Sequence, residues 1–314
     1  MPQDSIHSEA APGRGPVAFV RRYSGVTALV ASMVVWGSLP LYWKLLDDVP
    51  PVLILCHRMF WSFVLVVPLT FLLGQGKTAM EALRTWRTVR ILLLSSMVLA
   101  CNWLLYIWAV VNGQVLATSL GYYIMPLLNV CAGIFIFGDR PRRAQYIAIL
   151  LAFIGVAAQV VLAGAVPWVA LGLAFSFGAY GLLRKIVPVE SLAGLAVETS
   201  LLMLPALGGV IWGAYTGFSF LDGTHPWRDA LLVGAGVMTT LPLLWFAHGV
   251  RRIPLITVGI VQYLSPSIAF AIGVFVLDEP FSFADALAFC FIWAALALYS
   301  VDGIRAHGPG AGGN

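Results

Sequence analysis

The second half of the chain restates the first half 140 residues later. Positions 102–153 align with positions 242–293 without a gap, so that Tyr123 corresponds to Tyr263 and Pro126 to Pro266. Each half contains five apolar segments, and five is an odd number. If every segment crosses a bilayer, the second half must lie inverted relative to the first. Inverted repeats of this kind are the ground plan of many secondary transporters, which bind their solute near the membrane midplane between the two halves.

Composition supports a membrane location. Hydrophobic residues make up 60% of the 314 positions and charged residues only 10%, whereas a soluble domain carries about 25% charged residues. A helix needs about 20 apolar residues to cross a bilayer, and the sequence has many such runs, without the short alternating segments of a membrane β-barrel. We therefore predict an all-α integral membrane protein with ten transmembrane helices, at 23–43, 52–73, 88–111, 114–137, 144–163, 167–184, 190–213, 229–250, 254–277 and 283–302.

These segments divide the chain into two repeats and two tails. Residues 23–163 form the first five-helix repeat and residues 167–303 the second, and a tight turn separates them. Residues 1–22 are expected to be a disordered cytoplasmic tail, since the first part is rich in Pro, Gly and Ser, and residues 304–314 a second cytoplasmic tail. Arg21 and Arg22 before an apolar run resemble a signal peptide, but the long run predicts an uncleaved first helix instead.

The basic residues predict the orientation. If the N-terminal tail is cytoplasmic and the segments alternate, only Lys44 and Arg228 fall outside, and Arg58 falls within the membrane. The other fifteen of the eighteen Lys and Arg residues (18 − 3 = 15) then lie on the cytoplasmic side. Because basic loops stay in the cytoplasm, both termini are predicted to be cytoplasmic. The net charge of +4 reflects these loops and gives no evidence of nucleic-acid binding.

Sequence motifs give no indication of an enzyme or a cofactor. The four cysteines fall within predicted spans, at spacings that suit neither a zinc site nor a disulfide framework. No zinc-protease, hydrolase or dinucleotide-binding motif occurs. We expect free thiols, no metal and no cofactor. The expected partners are a small-molecule solute and the lipid bilayer, while a coupling proton or ion and the oligomeric state stay open.

Two charged residues lie deep within the predicted spans. Arg58 and Glu198 are 140 positions apart, so the repeat places them at equivalent positions, each ~10–12 Å deep and on opposite sides of the midplane. Each charge costs roughly 2.5–3.5 kcal/mol to insert, and such residues usually serve function. Arg58 would attract an anionic or carbonyl-bearing solute, and Glu198 would bind a cation or carry a coupling proton. The alternatives are a structural ion pair, or two groups that backbone and water satisfy separately.

Weaker signals surround these two charges. His57, next to Arg58, could relay protons, or it could cap a neighbouring helix. Polar and aromatic residues on the third, fourth and ninth spans would line the solute path, although packing through hydroxyl groups and interfacial anchoring explain such residues equally well. The candidates for this lining are Asn102, Tyr106, Tyr122, Tyr123, Asn129, Gln262 and Tyr263. Proline in the fourth and ninth spans would kink them.

Several blocks resemble a known family. The sequence contains HRMFWS at 57–62, NWLLYIWAV at 102–110, SLGYYIMPL at 119–127, GLAFSFGAYGL at 172–182, ET at 198–199, TTLPLL at 239–244 and QY at 262–263. Over residues 23–302 the chain is similar to the RarD family, within the EamA branch of the drug/metabolite transporter superfamily. The resemblance implies ten helices, an inner-membrane location and a permease role. Members are often labelled chloramphenicol-sensitive or chloramphenicol-resistance permeases.

The sequence therefore predicts a permease of two inverted five-helix halves that moves a small metabolite or drug-like solute by alternating access. An alternative from another class is a membrane-embedded enzyme or lipid-modifying protein that uses His57 and Glu198 as an acid/base pair. A third, a non-transporting scaffold or sensor, would not need deep charges in both repeats.

Overall fold

A computed structural model describes residues 16–137, 142–218, 224–253 and 255–307. These residues form twelve α-helices and no β-strand. The helices are α1 (Pro16–Lys44), α2 (Pro51–Leu72), α3 (Gly76–Arg84), α4 (Trp86–Val111), α5 (Val115–Phe137), α6 (Arg143–Ala163), α7 (Trp168–Lys185), α8 (Ser191–Tyr215), α9 (Pro226–Val250), α10 (Leu255–Gln262), α11 (Leu264–Phe275) and α12 (Phe283–His307).

Eight segments of the described chain are long and apolar enough to cross a membrane. They lie in α1, α2, α4, α6, α8, α9, α12 and the combined α10 and α11. The described part of α5 contributes a shorter apolar helix, Val115–Leu128. Nine of the ten predicted spans coincide with one helix each and the other coincides with the α10–α11 pair, so the all-α prediction is confirmed for the described residues. Ten crossings stay a prediction.

Helix boundaries differ from the predictions in four places. Residues 16–22 and 304–307 were expected in the tails, but they are helical; residues 1–15 and 308–314 lie outside the described residues. Helix α3 occupies a connection that was predicted to be a loop. The ninth predicted span is broken at Tyr263, because Pro266 has no N–H to donate to the carbonyl four residues earlier. The corresponding Pro126 lies within an unbroken α5.

Helices in the two halves begin 140 residues apart. The pairs are α2 and α8 (51 and 191), α4 and α9 (86 and 226), α5 and α10 (115 and 255), and α6 and α12 (143 and 283). Helices α2 and α6 pack against their counterparts α8 and α12, and α5 packs against α11, which continues its counterpart α10. The two halves therefore meet along these pairs, while α3 has no counterpart among the described helices.

Helices α2 and α8 run antiparallel. Leu53, near the start of α2, faces Gly213 near the end of α8. At the other end of the pair, Val66 packs with Ala196. Two charged residues, Arg58 and Glu198, lie on this helix pair, and its register fixes how far apart they are.

Candidate functional site

Arg58 lies in an aromatic environment where α1, α2, α4 and α9 meet. Its side chain is only 4% exposed. The guanidinium carbon lies 3.9 Å from the centroid of the Trp103 ring and 5.3 Å from that of Trp43. Cation–π contacts of this kind partly replace the water that a buried cation loses. The Nε donates a hydrogen bond to the Thr239 hydroxyl at 2.9 Å.

Close packing of α2 and α9 brings Thr239 to Arg58. A Cβ at Gly236 would lie 2.6 Å from the carbonyl carbon of Trp61, so only glycine permits this approach. One turn further along α9, Thr239 donates its own hydroxyl hydrogen to the carbonyl of Ala235 at 2.9 Å. Its oxygen is thereby free to accept from Arg58.

Arg58 has no anionic partner among the residues that the structure describes. Its Nη1 is buried without a hydrogen-bond acceptor, and no carboxylate lies within 4.0 Å of its nitrogens. The phenols of Tyr106 and Tyr122 are the groups that interact with it electrostatically. A buried guanidinium with an unused donor can bind a carboxylate, a phosphate or a carbonyl oxygen.

Glu198 lies between α4, α7 and α8 in a polar site. Glu198 is only 2% exposed. The Ser95 hydroxyl donates to Oε1, and the Tyr180 hydroxyl donates to Oε2 at 3.3 Å. Arg184 completes the site, with its Nη1 4.0 Å from Oε1. The carboxylate thus has hydrogen bonds and a cation, as buried charges generally do.

Arg184 is the partner that sequence reasoning missed. It is one of the fifteen basic residues predicted to lie on the cytoplasmic side, but its side chain is only 14% exposed. The side chain extends along α8 toward Glu198. It passes over Gly194, where a Cβ would lie 2.1 Å from the Arg184 Nη1. Its Nη2 also donates to the carbonyl of Glu190 at 3.4 Å. A glycine one helical turn before a buried carboxylate was the available signal.

Arg58 and Glu198 do not pair with each other. Cys56 contacts Gly209, so Arg58 lies level with about residue 207 of the antiparallel α8. Glu198 is therefore displaced from Arg58 by roughly 13 Å along the helix axis. The structural ion pair between them, which the sequence left as an alternative, is absent.

A row of aromatic side chains leads from one charge toward the other. We call Tyr106, Tyr122, Phe177 and Tyr180 the aromatic ladder. Successive ring centroids in the ladder are 5.8, 6.2 and 5.8 Å apart. The ladder begins beside Arg58 and ends at the hydrogen bond to Glu198. Two predicted path residues, Tyr106 and Tyr122, therefore lie between the two charges.

Two other predicted path residues lie apart from the ladder: Tyr123 on α5 and Tyr263 between α10 and α11. Tyr123 stacks on Tyr263 with centroids 6.3 Å apart, and its hydroxyl shares a 2.5 Å hydrogen bond with Ser267. They line a lateral groove of about 460 Å³ between α5, α11 and α12, together with Phe270 and Trp293. Tyr123 and Tyr263 are thus separate from the Arg58 and Glu198 sites.

The other predicted residues take different positions. Asn102 is fully buried and donates to the Leu173 carbonyl and the Ser176 hydroxyl, so it joins α4 to α7. His57 lies near Asp229 at the start of α9, where the two interact electrostatically. Gln262 is half-buried at the end of α10. The Asn129 side chain lies outside the described residues.

The remaining chemistry-related expectations concern cysteines and metals. All four cysteines are free. Among the residues that the structure describes, no cluster of three or more His, Cys, Asp or Glu could hold a metal ion. Chemically, the arrangement offers one buried cation with an open donor, one neutralised carboxylate and the aromatic ladder between them, inside a bundle of membrane-length helices. These features, with the eight apolar helices of membrane length, indicate a multi-pass membrane protein.

Comparisons with known proteins agree with this class. The model of the EamA-like transporter family matches twice, over residues 23–160 and 165–301. The chain is 42% identical to an uncharacterized transporter, YojE, of Bacillus subtilis, over 90% of this chain and 95% of that one. It is 38% identical to Protein RarD of Escherichia coli K12, over 89% and 95%. A Pseudomonas aeruginosa relative, named chloramphenicol-sensitive protein RarD, is 30% identical over 90% and 95%.

A solved crystal structure supports the fold. It superposes with a TM-score of 0.57 at 21% identity and covers 90% of this chain and 99% of that one. The chain belongs to the EamA-like transporter family, and its RarD-type relatives confirm the resemblance seen in the sequence. It is a membrane transporter of a small-molecule solute, and the enzyme alternative is wrong. His57 and Glu198 also lie toward opposite ends of the α2–α8 pair.

Proposed function

We propose that the protein is a permease that carries a small metabolite or drug-like solute between Arg58 and Glu198 by alternating access. The observation that carries this proposal is the aromatic ladder between two buried charges at repeat-equivalent positions. A solute can leave water only where protein groups replace its hydration. Guanidinium, hydroxyl and ring faces provide such groups along this path.

In this proposal the chain crosses the membrane ten times as two inverted five-helix repeats, 23–163 and 167–303. Two observations support the inversion: helix starts recur after 140 residues, and α2 runs antiparallel to its counterpart α8. A two-fold axis in the membrane plane relates antiparallel helices in this way. The segregation of basic residues supports cytoplasmic termini, and the bacterial relatives support an inner-membrane location.

The two charges have different roles. Arg58 binds an anionic or carbonyl group of the solute, because its Nη1 is a buried donor without an acceptor and no carboxylate of the described residues lies within 4.0 Å of its nitrogens. Glu198 carries the coupling proton: protonation would remove the charge that Arg184 neutralises and loosen the contact between α7 and α8. Tyr106 and Tyr122 line the path between them. Tyr123, Tyr263, Asn102, His57 and Gln262 support the bundle or its ends.

A ligand screen followed by transport tests the proposal. Purified protein is screened by thermal shift against a metabolite and antibiotic library, alongside Arg58→Gln and the surface control Arg87→Gln. Hits are then measured by counterflow in proteoliposomes. We expect ligands that stabilise the wild type and Arg87→Gln but not Arg58→Gln, and that exchange across the membrane. Counterflow that persists unchanged in Arg58→Gln would overturn the site.

A further inference from the structure

The net charge along the proposed path depends on whether each buried ion has an opposite charge beside it. At the Glu198 site, Arg184 supplies one positive charge and Glu198 one negative charge. Ser95 and Tyr180 add hydrogen bonds without adding charge. This end of the path is therefore neutral overall.

The first repeat lacks the features that compensate Glu198. Its counterpart of Arg184 is Lys44 (184 − 140 = 44), which lies at the surface and pairs with Asp47 at 3.1 Å. Its counterpart of Gly194 is Ile54, whose side chain is fully buried. Neither counterpart position supplies an anion, and no carboxylate of the described residues lies within 4.0 Å of the Arg58 nitrogens.

Other buried charges are engaged elsewhere. Arg228 lies 3.7 Å from the Asp48 carboxylate. Glu279 accepts the backbone N–H groups of Val115 and Leu116 at 2.6 and 2.8 Å, so it caps α5 as an anion at a helix N-terminus. Asp229 interacts with His57. Among the described residues, Arg58 is therefore the buried arginine with no carboxylate within 4.0 Å of its nitrogens.

We infer that the solute is a small monoanion with a flat apolar part, and that Arg58 is its counter-ion. The inference rests on the proposed transport function and names its substrate class. A single negative charge brings the path to neutrality, whereas a cation adds to the positive charge and a dianion leaves an excess negative charge, both of which are costly in a low-dielectric interior. The Trp103 ring beside Arg58 and the aromatic ladder favour a planar group, because ring faces stack on such groups.

Compounds of one shape and different charge test this inference. The probes are benzoate, its neutral isostere benzamide, benzylammonium and the dianion phthalate, measured by calorimetry on the full chain in nanodiscs at neutral pH. We expect benzoate to bind at least about tenfold more tightly than each of the others, a factor typical of one charge-assisted interaction. The preference for benzoate over benzamide should disappear in Arg58→Gln.

Variants at the other end of the path test the charge count. Arg184→Gln leaves Glu198 uncompensated and makes the path neutral without a solute, so benzoate should lose its advantage and benzylammonium should gain affinity. Gly194→Ala should act in the same direction by displacing the Arg184 guanidinium. Gly208→Ala is the matched control, since the same change on the same helix meets no atom within 4 Å, and it should leave the probe preference unchanged.

Failure of the inference is distinct from failure of transport. Benzamide or benzylammonium binding as tightly as benzoate, or no benzoate binding up to about 10 mM, overturns the monoanion class. Counterflow of a neutral library hit would then leave the transport proposal standing. Conversely, benzoate binding that depends on Arg58 without any exchange across the membrane supports the anion site and counts against transport through it.

Discussion

Arg58 and Glu198 occupy equivalent positions in the two repeats, yet the protein compensates them in different ways. Glu198 accepts hydrogen bonds from the hydroxyls of Ser95, in the first half, and Tyr180, in the second half. The Arg184 guanidinium, also from the second half, lies 4.0 Å away. Arg58 has two indole faces and one threonine hydroxyl, with a donor left over. Glu198 therefore has an opposite charge at 4.0 Å, whereas Arg58 keeps a buried donor that can bind a ligand.

Removal of the Arg184 guanidinium should have the largest effect on stability. Arg184→Gln leaves Glu198 buried without an opposite charge, which is strongly destabilising. We expect the free energy of unfolding to fall by about 3–5 kcal/mol, measured by denaturation in mixed micelles. Arg142→Gln, which removes a more exposed ion pair with Asp302, is the control and should cost about 1 kcal/mol or less. Equal losses of unfolding free energy in the two variants would contradict the claim that the buried pair contributes more than the exposed pair.

A methyl group at Gly194 should have the next largest effect. Gly194→Ala places a Cβ 2.1 Å from the Arg184 Nη1, so the guanidinium must move away from Glu198. We expect a loss of about 1–3 kcal/mol, in the range of overpacking, whereas Gly208→Ala on the same helix should be neutral or slightly stabilising because alanine favours helix. Thermal unfolding of the two variants side by side makes the comparison. If Gly194→Ala is as stable as Gly208→Ala, the Arg184 side chain does not need the space beside Gly194.

Loss of the Tyr180 hydroxyl should be milder. Tyr180→Phe removes one 3.3 Å hydrogen bond to Glu198 while the ladder ring and the Arg184 charge remain. We expect a destabilisation of about 1 kcal/mol. Tyr122→Phe, at the middle of the ladder, is the matched change away from Glu198. If Tyr122→Phe destabilises the protein more than Tyr180→Phe, the hydrogen bond contributes less than this account states.

Neutralising Arg58 should change stability least and function most. Arg58→Gln breaks no ion pair, because no carboxylate of the described residues lies within 4.0 Å. We expect the free energy of unfolding to stay within about 1 kcal/mol of wild type, since the desolvation penalty of a buried charge is removed along with its contacts. Counterflow of the identified solute should fall at least about tenfold. Destabilisation by several kcal/mol would mean that Arg58 has an anionic partner after all.

The sequence predicted the fold better than the site. Periodicity and length located every long helix, and the 140-residue repeat placed Arg58 and Glu198 at equivalent positions of α2 and α8. The Arg184–Glu198 contact was not predictable from the basic residues, because charge segregation identifies a loop and does not say where a long side chain turns. A single residue step likewise separates Tyr122 in the ladder from Tyr123 in the lateral groove, and the rotation of α5 decides which one faces the path.

One smaller miss concerns a short helix. Helix α3 has only nine residues and is amphipathic, so a search for apolar spans passes over it.

A double-mutant cycle on Arg184 and Glu198 tests the central claim most directly. The free energy of unfolding is measured for wild type, Arg184→Gln, Glu198→Gln and the double variant. If Arg184 compensates Glu198, the double variant should recover stability relative to Arg184→Gln, with a coupling energy of about 2–3 kcal/mol. Additive losses, with a coupling energy below about 0.5 kcal/mol, would show that the two charges are independent. That result would contradict the claim that Glu198 has a cationic partner in Arg184 whereas Arg58 has no anionic partner.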